Sequence, residues 1–124
     1  MTAPSMAAMS TVLSFGNVLP VPFPFTDQQG SNQRPAVVVS SNAYNANRAD
    51  VLIMAITSVM RSPGAALSFG EAVLADWQSA GLIKPSVFKP VFTTIEQRLI
   101  LKRLGAVSGG DVALLRTVLA AVIG

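Results

Sequence analysis

Hydrophobic residues in this chain fall mainly into short extended runs, each closed by a proline, a glycine or a polar stretch. From Ser14 to Phe25, Val18, Leu19, Val21, Phe23 and Phe25 are interleaved with Pro20, Pro22 and Pro24. Residues two apart in a strand turn their backbone N–H groups to the same side, so these prolines remove donors along one edge only. The segment predicts an edge strand, or a strand that runs out into an irregular loop after its first half. Thr26–Gln33, polar and carrying Gly30, predicts the loop that follows. Arg34–Ser40 opens on Pro35 and continues through Val37, Val38 and Val39, a strand signal without polar alternation and therefore buried on both faces. Ser41–Asp50, with Asn42, Asn45 and Asn47, is a turn-rich connector, and Val51–Ser58 predicts the next buried strand.

Pro63-Gly64 breaks the chain before a short strand at Ala72–Leu74. Asp76–Gly81 predicts one helical turn ended by glycine, and Val87–Thr94 is extended again, opened by Pro85 and interrupted by Pro90. Glu96–Leu104 predicts a short helix. The only long helix follows Ser108, a capping residue with Asp111 three positions on in a capping-box arrangement and an apolar stripe of Val112, Leu115, Leu119 and Val122. Short buried strands followed by a C-terminal helix predict a mainly β fold with peripheral helices, a small, twisted, partly closed barrel. No repeat or long linker divides the chain: residues 1–12 read as a weakly ordered tail and 13–124 as one domain.

Composition narrows the chemistry. The 124 residues include neither Cys nor His. That excludes a disulfide framework, a thiol nucleophile, an iron–sulfur cluster and the usual ligands of a zinc site. Serine–histidine–aspartate and two-histidine catalysis are excluded with them. No metal and no cofactor is expected, and any catalysis falls to Arg, Lys, Asp, Glu, Ser, Thr or Tyr. Mean hydropathy is high, at +0.52. Yet the longest apolar stretch, Val112–Gly124, is interrupted by Arg116 and shorter than the ~20 residues of a spanning helix. Met1–Val12 has no basic residue ahead of an apolar run, so no secretory signal is expected, and the reading is cytoplasmic.

The net charge of +3 suits an anionic partner, and its distribution is uneven. Lys84, Lys89, Arg98, Lys102 and Arg103 stand against Glu96 alone between residues 84 and 103, more than the whole excess. Such a run is either a solvated flank or a binding face. Arg34 lies between a flexible polar loop and a buried strand, and its fork geometry matches phosphate; pairing with a surface carboxylate is the plainer alternative. Thr57-Ser58 places hydroxyls where the second buried strand ends, as a turn former also would. Two adjacent strands would set Arg34 and Thr57 side by side at one rim.

The ordered set Phe23-Pro24-Phe25-Thr26-Asp27, Arg34-Pro35-Ala36-Val37-Val38-Val39-Ser40, Tyr44-Asn45 and Ile56-Thr57-Ser58 resembles the MazF/PemK family of toxin–antitoxin ribonucleases. Asp76–Ser86, Thr94-Ile95 and the Ser108–Gly124 helix resemble its later segments in the same order. The resemblance implies a small SH3-like barrel of the CcdB/PemK type with a C-terminal helix. It also implies a homodimer that cleaves single-stranded RNA without a metal, is silenced by a cognate acidic antitoxin, and binds DNA as the toxin–antitoxin complex.

On the matching positions, the resemblance assigns catalysis to Arg34 and Thr57, with Ser58 in support. The substrate's own 2′-OH is the nucleophile in such a reaction, so the lack of Cys and His is no obstacle. The loop before Arg34 carries no carboxylate nearer than Asp27, which becomes the candidate general base, with a turn-forming role as the alternative. Lys84, Ser86 and Lys89 fall in the segment that lines the RNA groove in relatives. Phe25 and Tyr44 are candidates for stacking on bases, and Gln29 and Gln33 for polar contacts from the gating loop. Two other readings remain: a toxin of the same fold that inhibits gyrase, and a non-cleaving RNA-binding member.

Overall fold

The computed structural model describes residues 12–22, 33–59 and 67–124. In chain order the elements are β1 (Asn17–Val21), β2 (Arg34–Val38), α1 (Asn42–Asn47), β3 (Asp50–Ser58), β4 (Ala72–Val73), β5 (Ser86–Glu96), β6 (Gly105–Ala106) and α2 (Gly109–Val122). A single 3-10 turn, Gln97–Leu99, follows β5. The strands form one antiparallel six-stranded sheet in the order β4-β5-β3-β2-β1-β6. The sheet curls into a half-barrel and leaves α2 outside it.

Both faces of the sheet are buried, which is why the valine runs lack polar alternation. Leu19, Val21, Ala36, Val38, Val51, Ile53 and Ala55 point into the curl, joined by Leu13 and covered by Val91, Ile95 and Ile100. Val18, Val37, Met54, Ile56 and Phe88 point the other way, against Leu74, Ala80, Val107 and the α2 residues Leu115 and Val118. Each fully buried branched side chain contributes about 1.5–3 kcal/mol of transfer free energy, so neither face can be exposed without losing the fold.

The prolines mark where pairing stops. The Val18 carbonyl accepts from Leu104 N on the outer side of β1. Alternation therefore points the nitrogen of Pro20 to the same side, and β6 pairs only with Asn17 and Val18. β1 is thus not an edge strand, since β6 pairs with its first two residues; the irregular loop expected after it, with Phe23–Phe25, lies outside the described residues. In β5, the pairing with β3 shifts between Met54↔Phe92 and Ala55↔Lys89, so Pro90 and Val91 sit in a bulge. Proline is accommodated there because no ladder bond is asked of it.

Three local expectations are corrected. The 41–50 connector contains the helix α1, capped by the Ser41 side chain, which accepts from Tyr44 N. The short helix expected over Glu96–Leu104 is absent: Glu96 completes β5 and only Gln97–Leu99 turns, as a 3-10 segment. The remainder runs extended beside β1, held by Leu104 N on the Val18 carbonyl. Ser108 does cap α2 through Asp111 N. The Asp111 carboxylate does not reach back, however; buried, it accepts from Ala75 N and Asp76 N, each at 2.8 Å, and ties α2 to the 75–81 turn.

That turn is not assigned as helix but ends as a helix does. Gly81 N donates to the Gln78 carbonyl and Leu82 N to the Trp77 carbonyl, the paired bonds of a Schellman closure. Gly81 has φ +83°, and a Cβ there would collide with the Leu104 carbonyl. Only glycine meets both conditions.

Candidate functional site at the open rim of the sheet

The β2–β3 register pairs Ala36 with Ala55, Val37 with Met54 and Val38 with Ile53. The pairing ends there; Arg34 and Thr57 lie two residues beyond its last pair, each on the same face as Ala36 and Ala55. Val21 pairs with Arg34 on one side, and Val87 pairs with Thr57 on the other. Residues opposite each other in an antiparallel pair share a face, so Val21, Arg34, Thr57 and Val87 all lie on one face at this end of the sheet. They are the last inner-face positions before the strands open into loops. Lys89, opposite Ala55, is on the same face two residues deeper.

The groups at this end suit binding of an anion. Arg34 is exposed, whereas Thr57 and Ser58 are half-buried at the end of β3. Among the described residues neither the Thr57 nor the Ser58 hydroxyl makes a side-chain hydrogen bond. Lys84 is exposed and Lys89 half-buried, and neither forms an ion pair among the described residues. Lys84 belongs to the same rim because Ser86 pairs with Ser58 and Val59 N donates to the Pro85 carbonyl.

A model of the family described as PemK-like, MazF-like toxins of type II toxin–antitoxin systems matches residues 14–123. The chain belongs to this family. None of the curated proteins matches it. Among solved structures, an endoribonuclease in complex with its cognate antitoxin from a mycobacterial species is similar at 23% identity and TM-score 0.66, over 87% of this chain and 91% of that one. A MazE–MazF structure from Deinococcus radiodurans is similar at 22% identity and TM-score 0.64, over 91% and 96% of the two chains. The half-barrel with its C-terminal helix is thus the small SH3-like barrel of the MazF fold.

In this MazF-like toxin not every residue singled out from the sequence reaches the rim. Phe25, Asp27 and Gln29 lie outside the described residues. Gln33 is exposed immediately before Arg34. Ser86 is buried, 3% exposed, and its hydroxyl donates to the Lys84 carbonyl, so it shapes the approach of Lys84 and has no free surface of its own. Tyr44 stands at the opposite end of β3: its hydroxyl donates to Asp50 Oδ1, and Arg48 covers its ring at 5.3 Å. Asp50 and Thr57 are seven residues apart in one strand, about 23 Å. Tyr44 therefore cannot stack on a base held at Arg34.

The basic run also divides. Arg98 is paired with Glu96 at 2.7 Å and Arg103 donates to the Val12 carbonyl, leaving Lys84, Lys89 and Lys102 without an ion pair among the described residues. Of these, Lys102 was not separable by sequence from its paired neighbours. Among the described residues no cluster of acidic side chains could hold a metal ion, and no helix is long and apolar enough to cross a membrane.

Proposed function

We propose that this toxin is a metal-independent, sequence-selective endoribonuclease acting on single-stranded RNA. The observation that carries the reading is Arg34 and Thr57 together on one face at the end of the neighbouring strands β2 and β3, with lysines around them that form no ion pair among the described residues. The 2′-OH of the substrate attacks the adjacent phosphorus and gives up its proton to a base, for which Asp27 is the candidate. The P–O5′ bond breaks as the new P–O2′ bond forms. The products are a 2′,3′-cyclic phosphate and a 5′-oxygen that is protonated as it leaves.

Negative charge grows on the nonbridging oxygens during this step. Arg34 supplies a permanent charge and a planar pair of donors, and Thr57 one hydroxyl donor; one preorganised donor of this kind is worth about 3–4 kcal/mol. Ser58 faces the other side of β3 and supports the strand end. Lys84 and Lys89 bind the strand's backbone, Gln33 and Gln29 contact bases, and Phe25 is the remaining stacking candidate. A second copy of the chain and a cognate acidic antitoxin complete the assembly, the antitoxin competing with RNA for the same cations. With the antitoxin bound, the complex is expected to bind DNA. The setting is cytoplasmic.

The test is incubation of the protein with long single-stranded RNA in EDTA, followed by mapping of the ends. Cyclic-phosphate and 5′-OH ends, lost with Arg34→Ala, are expected. Binding without cleavage would show a non-cleaving member, and neither binding nor cleavage would turn attention to gyrase.

A further inference from the structure

Beside the rim lies a cleft of about 200 Å³ lined by Pro20, Gln33, Leu99, Leu101 and Lys102. We propose that it holds one nucleotide of the RNA strand next to the scissile phosphate, with the base against Leu99, Leu101 and Pro20 and the neighbouring phosphate on Lys102. This inference rests on the ribonuclease reading and extends it to a subsite.

Four features converge on a nucleotide. Position is the first: Gln33 directly precedes Arg34 and Pro20 pairs with Pro35, so the cleft lies at the Arg34 end of β1 and β2, around the strand edge from the Arg34 face. Charge is the second. No carboxylate lines the cleft, and Lys102 is exposed without an ion pair among the described residues, whereas Arg103 beside it is spent on the Val12 carbonyl. The third is apolar surface held in water: Leu101 is 93% and Leu99 54% exposed. An aliphatic wall beside a cation suits a ring with an attached phosphate.

Backbone chemistry is the fourth. Pro20 turns its nitrogen to this side and offers no donor, so an extended peptide could not add here as a further strand. Gln33 is the one side chain of the lining with both a donor and an acceptor, which is what recognition of a base edge requires. It is therefore the residue expected to set preference at this position.

The experiment compares wild type with Lys102→Gln, Leu101→Ser, Gln33→Leu and, as a control on a paired arginine away from the cleft, Arg98→Gln. Each is assayed for kcat and KM on a fluorescent single-stranded RNA. Affinity for the same RNA with a 2′-deoxy residue at the cut site is measured across salt, and mass in solution by sedimentation. Lys102→Gln should raise KM about fivefold to tenfold with kcat within about twofold, and reduce the salt slope of binding by about 0.7, the share of one phosphate contact on a single strand. Leu101→Ser should raise KM in the same way, Gln33→Leu should change base preference at one position flanking the cut, and Arg98→Gln should change nothing. Wild-type cleavage with unaltered KM and salt slope in Lys102→Gln would overturn the cleft alone. So would Leu101→Ser acting by dissociating a dimer, which would mean that a second copy covers the leucines. A wild type that neither binds nor cuts RNA would overturn the ribonuclease reading and the cleft together.

Discussion

At the Asp50–Glu96 end of the β3–β5 ladder the charged side chains and most of the amides and hydroxyls are bound to one another or to backbone. Gln97 Nε2 donates to the carbonyls of Asn45 and Arg48 while its Oε1 accepts from Leu13 N. Tyr44 and Arg48 both meet Asp50, and Arg98 meets Glu96. Asn45, buried on α1, exchanges hydrogen bonds with Ser40, whose hydroxyl also accepts from Leu52 N. At the Thr57 end the same two strands carry Lys89 and two hydroxyls, and Lys84 lies just ahead of β5; the described part of the chain gives none of them a side-chain partner. The contrast separates polar groups that hold the fold from polar groups that the fold merely presents. Self-satisfied charges add little surface potential, whereas unneutralised ones concentrate it where a polyanion must lie.

Substitutions at the two ends should consequently act on different observables. The largest effect is expected for Arg34→Ala: single-turnover cleavage slower by about 10³-fold, near 4 kcal/mol of transition-state stabilisation, with the melting temperature unchanged. A variant that also melted early would place Arg34 among the groups that hold the fold. Thr57→Val keeps the volume and β-branching and deletes only the hydroxyl. A rate loss of about 10²-fold is expected, again without a change in thermal stability.

The opposite signature belongs to the closed end. Gln97→Ala removes three hydrogen bonds between the 3-10 turn, α1 and Leu13, and should cost about 2 kcal/mol, read as a lower urea midpoint with the cleavage rate unaltered. A rate loss at full stability would erase the division between the ends. The smallest effect is expected at Asp76. The Ser79 hydroxyl and backbone N–H bond its carboxylate and hold it below the usual aspartate range. A depressed folded pKa contributes stability above the unfolded pKa that is lost as pH falls through the folded value. The stability difference between wild type and Asp76→Asn should thus be small at neutral pH and vanish in strong acid; a difference that grows on acidification would contradict it.

The strands were legible because their signals are local: a β-branched run, a proline at the start, hydroxyls at the end. That β2 and β3 are neighbours, with Arg34 and Thr57 toward the same end, followed from expecting those two runs to be adjacent. Glu96–Leu104 misled because its helix-favouring residues are overridden by non-local contacts, Leu104 closing on β1 and Ile100 capping the inner core. Tyr44 misled for a related reason. Nothing in a turn-rich connector tells which end of a strand it will crown, and α1 crowns the Asp50 end. Lys102 could not be told from Arg98 and Arg103 until the fold had assigned those two their partners.

The prolines have a consequence for solubility. An open sheet has two edges at which a foreign strand could add, and here the outermost strands, β4 and β6, are two residues each. Among the described residues, most of the outer flank of β5 and the second half of β1 have no strand partner, and such flanks are templates for aggregation. Each of those strands carries a proline that offers no donor, Pro90 in the β5 bulge and Pro20 in β1, the latter with its nitrogen turned outward. The half-barrel can remain unclosed because each proline removes a donor that a neighbouring strand would need.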